Sequence, residues 1–183
     1  MERCLSSQRI YEGKILNLRV DEVEVSRNGR RARREVVEHR SAVAILARDQ
    51  KGRFLLVRQF RYPLNAEIVE VPAGLIEKDE LPLEAAQREL REETGYRASR
   101  WTVMPVIWSS PGFSDEKLHV FFAEDLEYAP LQPDDDEDLS LLRFGEEEIR
   151  ALLDSTEPQD AKTLMALAWY LAVKGQREQA KQD

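Results

Sequence analysis

Between Gly74 and Tyr96 the chain reads GLIEKDELPLEAAQRELREETGY, and no other stretch constrains the fold as much. Pro82 suits the first turn of a helix, where a missing N–H costs nothing. Gly95 suits the stop, so the spacing predicts one helix from Pro82 to about Thr94. Leu83, Ala86 and Leu90 fall on one face and predict packing against a sheet. Glu89, Glu92 and Glu93 fall within an arc of ~100° beside that face. From Glu77 to Glu93 there are seven acids against three bases. Like charges at these helical spacings cost about 0.2–0.5 kcal/mol per pair. A helix used only for packing gains nothing from them, whereas a hard divalent cation turns the repulsion into ligation. The competing reading is a solvated acidic face, and the helix alone does not decide between the two. Arg88, four residues before Glu92, can pair with it or hold another carboxylate in place.

The rest of the chain predicts a sheet around this helix. Residues 15–25 alternate as a strand, Asn28-Gly29 signals a type I′ hairpin turn, and residues 33–38 return. Five arginines crowd that hairpin (Arg27, Arg30, Arg31, Arg33, Arg34). They read either as a solvated edge that resists aggregation or as a source of one or two phosphate or base contacts. Residues 42–47 form a continuous apolar run, hence a buried strand. Residues 54–60 and 68–71 follow as strands. Pro72 then blocks ladder hydrogen bonds, and Gly74 is read as a backbone turn. Residues 101–108, 117–123 and 139–144 predict further strands, and 134–138 an acidic loop. Residues 146–153 and 160–173 predict helices, the second with an apolar face at Leu164, Leu167, Ala168 and Leu171. Trp101, Trp108 and Trp169 read as core. Mixed strands with one central and two late helices indicate an α/β fold of the α+β type, not a parallel doubly wound sheet.

Composition narrows the function. The 183 residues suit one domain with a small extension, and a net charge of −8 argues against nucleic acid or anionic membrane as partner. The single cysteine, Cys4, excludes an internal disulfide and a cysteine-rich zinc site. His39 and His119 are not spaced as a metal pair. There is no apolar run of ~18 residues to span a membrane and no signal core at the N-terminus, so the expected location is cytoplasmic.

The full spacing decides what the helix alone does not. Gly74, five residues, Glu80, seven residues, then Arg88-Glu89-Leu90-x-Glu92-Glu93-x-Gly95-Tyr96 resembles the Nudix box at every position. Chance agreement at seven fixed positions is roughly 10⁻⁷ to 10⁻⁹ per start. The resemblance implies a Nudix hydrolase: an α/β/α sandwich with a mixed sheet, cleaving a nucleoside diphosphate linked to another moiety. On that resemblance residues 1–40 are an N-terminal antiparallel β extension and dimerisation element and 41–175 the hydrolase domain, while the polar residues 176–183 read as a frayed tail. It implies one to three Mg²⁺ or Mn²⁺ ions held by Glu89, Glu92, Glu93 and the carbonyl of Ala73. Arg88 would be the structural arginine of the box, and Glu80 structural or outer-sphere.

Three further likenesses point to the ADP-ribose pyrophosphatase group. Pro111 lies sixteen residues after Gly95, within SSPGFSDE. VRQFRYP and VEVPAG lead to the box as they do in that group, and QDAKTL resembles the start of its C-terminal helix. The resemblance implies that Arg61 binds phosphate or ribose, that Glu70 contacts the adenine edge, and that Glu116 binds ribose or supports the metal site. It places Pro111, Gly112 and Phe113 at the substrate. Glu137, or its neighbour Asp136 or Asp138, would be the mobile acid acting as base or completing the metal site. It implies a homodimer through the N-terminal strands, with Arg34 or Tyr11 reaching the neighbour's adenine. Alternatives are the same chemistry on GDP-mannose, another sugar nucleotide or FAD, non-catalytic ADP-ribose binding, or an adaptor that uses the acidic helix.

Overall fold

A computed structural model describes residues 1–132 and 138–179. In chain order the elements are β1 (Glu2–Glu12), β2 (Leu16–Val25), β3 (Arg30–His39), β4 (Ala42–Arg48), β5 (Phe54–Arg61), a 3₁₀ turn (Tyr62–Leu64), β6 (Ala66–Glu70), β7 (Ala73–Leu75), α1 (Pro82–Thr94), β8 (Tyr96–Val103), β9 (Ile107–Trp108), β10 (Lys117–Tyr128), β11 (Leu139–Phe144), α2 (Glu146–Asp154) and α3 (Ala161–Gln179). They gather into two compact units, Met1–Ala42 with Val106–Leu118, and Val43–Pro105 with His119–Asp183. The acidic positions 134–137, Glu137 among them, and residues 180–183 of the tail lie outside the described residues.

In the first unit β1, β2 and β3 form an antiparallel sheet with β2 in the middle. β1 is absent from the sequence-based expectation. Every residue of it is exposed, so no apolar alternation marks it. The hairpin turn also differs. Val25 pairs with Arg30, leaving a four-residue loop in which Gly29 alone has positive φ (+66°). A type I′ turn needs positive φ at two residues. Here Asn28 and Gly29 instead donate their N–H groups to the Val25 carbonyl, at 3.2 and 2.9 Å. Of the five hairpin arginines Arg34 pairs with Glu2 across the sheet, while on β1 Arg3 pairs with Glu24 and Arg9 with Glu38. Residues 106–118 join β3 where Val37 donates to the Phe113 carbonyl (2.8 Å) and Asp115 donates to the Val37 carbonyl (3.2 Å). Trp108 is 54% exposed and carries the Lys117 ammonium 4.9 Å above its ring, so it is not core.

The second unit is built on the strand order β11-β5-β4-β10-β8. β4 pairs with the start of β5 and β6 with its end, while β7 pairs with β4. Residues 42–47 are all buried, as their apolar run predicts. Alternation sorts the sheet's two faces. Val43, Ile45, Ala47, Leu55, Phe121 and Ala123 share one core with Ala85, Ala86 and Leu90 of α1. From the other face Phe54 and Phe122 meet Tyr170 of α3, at ring separations of 4.9 and 5.2 Å. A sheet with helices on both faces is the α/β/α sandwich that the sequence predicts. The expected strand over 101–108 is instead two: β8 ends at Val103, and Met104 turns its N–H to the Val120 carbonyl before Pro105.

Both helical faces need correction in detail. In α1 Leu83 is 39% exposed, and the buried stripe is Ala85, Ala86, Glu89, Leu90, Glu93 and Thr94. Two of the acids therefore lie on the buried side. In α3 Ala168 is exposed, whereas Thr163, Ala166, Leu167 and Tyr170 are buried. Gly95 ends α1 as its position predicts, with φ +78° and its N–H on the Arg91 carbonyl (3.0 Å). In that left-handed conformation an L side chain is strained.

Candidate active site

The approach to α1 is folded by its own polar groups. Glu80 accepts the Glu77 N–H (2.9 Å), and Glu84 accepts the N–H of Leu81, the residue before the helix (3.0 Å). Pro82 follows with no N–H to satisfy. Arg88 then uses all five donors of its guanidinium. Two go to the Glu80 carboxylate (3.0 and 3.1 Å), one to the Leu75 carbonyl (3.1 Å), one to Glu89 (2.7 Å) and one to Glu92 (2.9 Å). The hydrogen bond to Glu80 leads the causes that push its pKa above the ordinary arginine value. In return the Arg88 hydrogen bond holds the Glu80 carboxyl below its usual range. Arg88 thus joins the loop before the helix to two carboxylates on it.

Glu89 and Glu93 are 7% and 8% exposed. Glu93 accepts the Ala73 N–H at 3.2 Å, which ties the end of α1 to β7. Gly74, in the same short strand, has a different purpose from the one its sequence suggests. It is not among the glycines with positive φ. A Cβ there would lie 2.0 Å from the Glu89 carboxylate. The glycine clears space for a carboxylate and does not make a turn.

A second polar group lies in the same unit. Arg61 donates Nε and Nη2 to the two oxygens of Glu70, at 2.6 and 2.9 Å. Glu70 is 2% exposed. Burial works to raise its pKa, but the Arg61 hydrogen bonds and the charge of Lys162 outweigh that and hold it below the usual carboxylate value. Lys162 bonds the Glu70 Oε2 and lies 3.0 Å from Asp160. Thr163 secures this end of α3, accepting the Val71 N–H (2.8 Å) and donating to Asp160 (2.6 Å). Among the described residues Arg61 has no hydrogen bond on Nη1. Glu93 is near enough to add to the stabilisation of its charge, after Glu70.

Ala73, Arg88, Glu89, Glu92 and Glu93 are thus brought together, and Arg61 is joined to Glu70. Arg34, Pro111, Gly112, Phe113 and Glu116 belong to the other unit. There Arg34 is engaged by Glu2 through Nε (3.0 Å) and Nη2. Residues 110–114 form a turn in which Phe113 and Ser114 donate to the Ser110 carbonyl (3.1 and 2.9 Å), leaving the Phe113 ring 56% exposed. Glu116 lies 3.4 Å from the His39 ring, and Asp115 accepts the His39 N–H (2.8 Å). Lys162 was not foreseen as a site residue. Its partner Glu70 is 92 residues away, and nothing in its local sequence marks the pairing.

Comparison with known proteins decides what this arrangement belongs to. The NUDIX domain family matches residues 38–167. The chain belongs to the Nudix family. A second family, the nucleoside diphosphate sugar hydrolase N-terminal domain, matches residues 2–37. An ADP-ribose pyrophosphatase of Bacillus subtilis is 42% identical over 94% of each chain. A methanol dehydrogenase activator of Bacillus methanolicus is 35% identical over 92% of this chain and 91% of its own. A crystal structure of an ADP compounds hydrolase covers 96% of this chain and 95% of its own, with a TM-score of 0.85 and 26% identity. This Nudix protein is an enzyme, a hydrolase, and divalent metals are the general cofactors of its family.

The donor set fits such a metal. Among the described residues no three His, Cys, Asp or Glu side chains converge as a ready-made cage. Arg88 Nη1 bonds both Glu89 and Glu92, at 2.7 and 2.9 Å. Magnesium at a phosphate site takes one or two carboxylates, waters and the substrate's own oxygens, so a full protein cage is not required. Glu89 and Glu93, two largely buried carboxylates on one helix face, supply hard oxygen donors of that kind.

Proposed function

We propose that this Nudix hydrolase cleaves the pyrophosphate of ADP-ribose to AMP and ribose 5-phosphate with Mg²⁺ or Mn²⁺. The observation that carries the reading is the 42% identity to an ADP-ribose pyrophosphatase across 94% of both chains, on a chain whose box carboxylates are all present. Water adds to one phosphorus, the bond from that phosphorus to the bridging oxygen breaks, and the bridging oxygen leaves on the other phosphate. The metal supplies charge neutralisation and a water of lowered pKa. Glu89, Glu92 and Glu93 would hold it with the Ala73 carbonyl. Arg88 fixes Glu89 and Glu92 in place, the Ala73 N–H fixes Glu93, and the open Nη1 edge of Arg61 offers donors to a phosphate. Glu137 is assigned as base on the family resemblance alone. Substrate contacts by Glu70, Glu116, Arg34 and residues 111–113 belong to the same proposal, as does a cytoplasmic location. Among the described residues no helix is long and apolar enough to cross a membrane.

Phosphorus NMR of ADP-ribose incubated with the protein tests the reaction. The expected result is equimolar AMP and ribose 5-phosphate with Mg²⁺ or Mn²⁺, and none with EDTA. Turnover of GDP-mannose but not ADP-ribose would reassign the substrate, and binding without products would leave a non-catalytic module. We further propose a homodimer through the N-terminal strands. The exposure of Leu5, Ile10 and Tyr11 on β1 supports it. Sedimentation velocity is expected to give twice the chain mass, and a monomer at micromolar concentration rejects it.

A further inference from the structure

Glu70 accepts more than an ordinary surface carboxylate does. Its two oxygens take three donors: Nε and Nη2 of Arg61, and Nζ of Lys162. It is 2% exposed, so an unbalanced charge there is costly. Lys162 anchors that carboxylate from α3. Its side chain is 12% exposed, its own charge is balanced by Asp160 at 3.0 Å, and α3 is tied to the residue after β6 by the Val71 N–H on Thr163. Lysine thus fixes the Glu70 carboxylate, which in turn fixes the arginine fork in two places. Among the described residues Nη1 keeps donors that no hydrogen bond uses, on a guanidinium held by a rigid support, and these are the donors left for a phosphate.

We propose that Lys162 is a positioning residue for substrate binding: acting through Glu70, it keeps Arg61 oriented toward a phosphate of the substrate. Lys162 does not itself touch substrate. The proposal rests on the pyrophosphatase reading above, because it needs an anionic diphosphate at Arg61. It does not depend on which nucleoside diphosphate conjugate is the substrate.

The test is a double-substitution cycle of Lys162→Met and Glu70→Gln, with Lys162→Arg as the conservative variant. It uses the full-length protein and the conjugate that the wild type turns over fastest. If the wild type turns over none, the pyrophosphatase reading fails and this proposal falls with it. With a working wild type, Lys162→Met is expected to raise KM about tenfold while kcat stays within about twofold. The methionine keeps the length of the stem and removes the charge. Lys162→Arg is expected to recover most of the lost affinity. In the Glu70→Gln background the change to Met should add no further KM penalty, because the carboxylate it anchors is already gone. A KM unchanged in Lys162→Met overturns the proposal. So does a loss confined to kcat, or a KM penalty of equal size in both backgrounds. A lower melting temperature with unchanged KM marks Lys162 as structural only, which also overturns it.

Discussion

Glu93→Gln is expected to lower kcat by a factor on the order of 10² to 10³, the size seen when one preorganised electrostatic group is deleted from an active site. The substitution is nearly isosteric, and the structure shows why the fold should survive it. Glu93 accepts the Ala73 N–H, and the amide oxygen of glutamine can accept the same hydrogen bond. The apolar stripe beside it, Ala85, Ala86 and Leu90, is untouched. What is lost is a buried negative charge at 8% exposure. A hard cation prefers a carboxylate to an amide, and the amide's NH₂ cannot coordinate at all. The expected signature is therefore lost turnover with an unchanged far-UV spectrum and a melting temperature near that of the wild type. Raising Mg²⁺ should recover only part of the rate. A variant that turns over at the wild-type rate under the same metal concentration would remove Glu93 from the metal site.

Much of this was legible in the sequence because it is local. The ends of α1 are written by Pro82 and Gly95, and the buried β4 by its apolar run. The box carboxylates were identifiable from spacing, since helical geometry fixes the relative directions of Glu89, Glu92 and Glu93. The phase of that helix was less secure. Leu83 looks like core on a helical wheel, but the wheel cannot show that the sheet meets the small Ala85 instead, turning Glu89 and Glu93 toward the interior. β1 was invisible for a related reason. It is exposed throughout and held by ladder hydrogen bonds to β2, which leave no pattern in side-chain polarity. The Arg61–Glu70–Lys162 group was only partly legible. Arg61 and Glu70 sit nine residues apart in the β5–β6 hairpin, but Lys162 arrives from the start of α3. Contacts of that sequence separation are set by tertiary packing and are not encoded in any window.

Gly74→Ala is expected to lower kcat/KM by roughly 10- to 100-fold, the range for disturbing the support of a metal ligand. From the sequence this glycine reads as a backbone need, and on that reading an alanine would mainly cost stability. The structure leads to a different outcome. Gly74 is not in the left-handed region, so alanine can adopt its backbone. The obstacle is the Glu89 carboxylate, 2.0 Å from where the new Cβ would stand. Glu89 cannot move freely, because Arg88 holds its Oε1 at 2.7 Å and the side chain is almost wholly buried. Either the carboxylate swings off its position and draws Arg88 with it, or β7 shifts away from α1. Overpacking of this kind costs about 1–3 kcal/mol, which the fold can absorb, whereas a ligand displaced by an ångström is no longer in place. The measurement is the metal concentration that gives half-maximal rate. It should rise well above that of the wild type, while thermal unfolding stays cooperative and falls by a few degrees. Unaltered metal dependence in a folded variant would mean that the glycine does not serve Glu89. A variant that fails to unfold cooperatively would mean that its main duty is to the backbone after all.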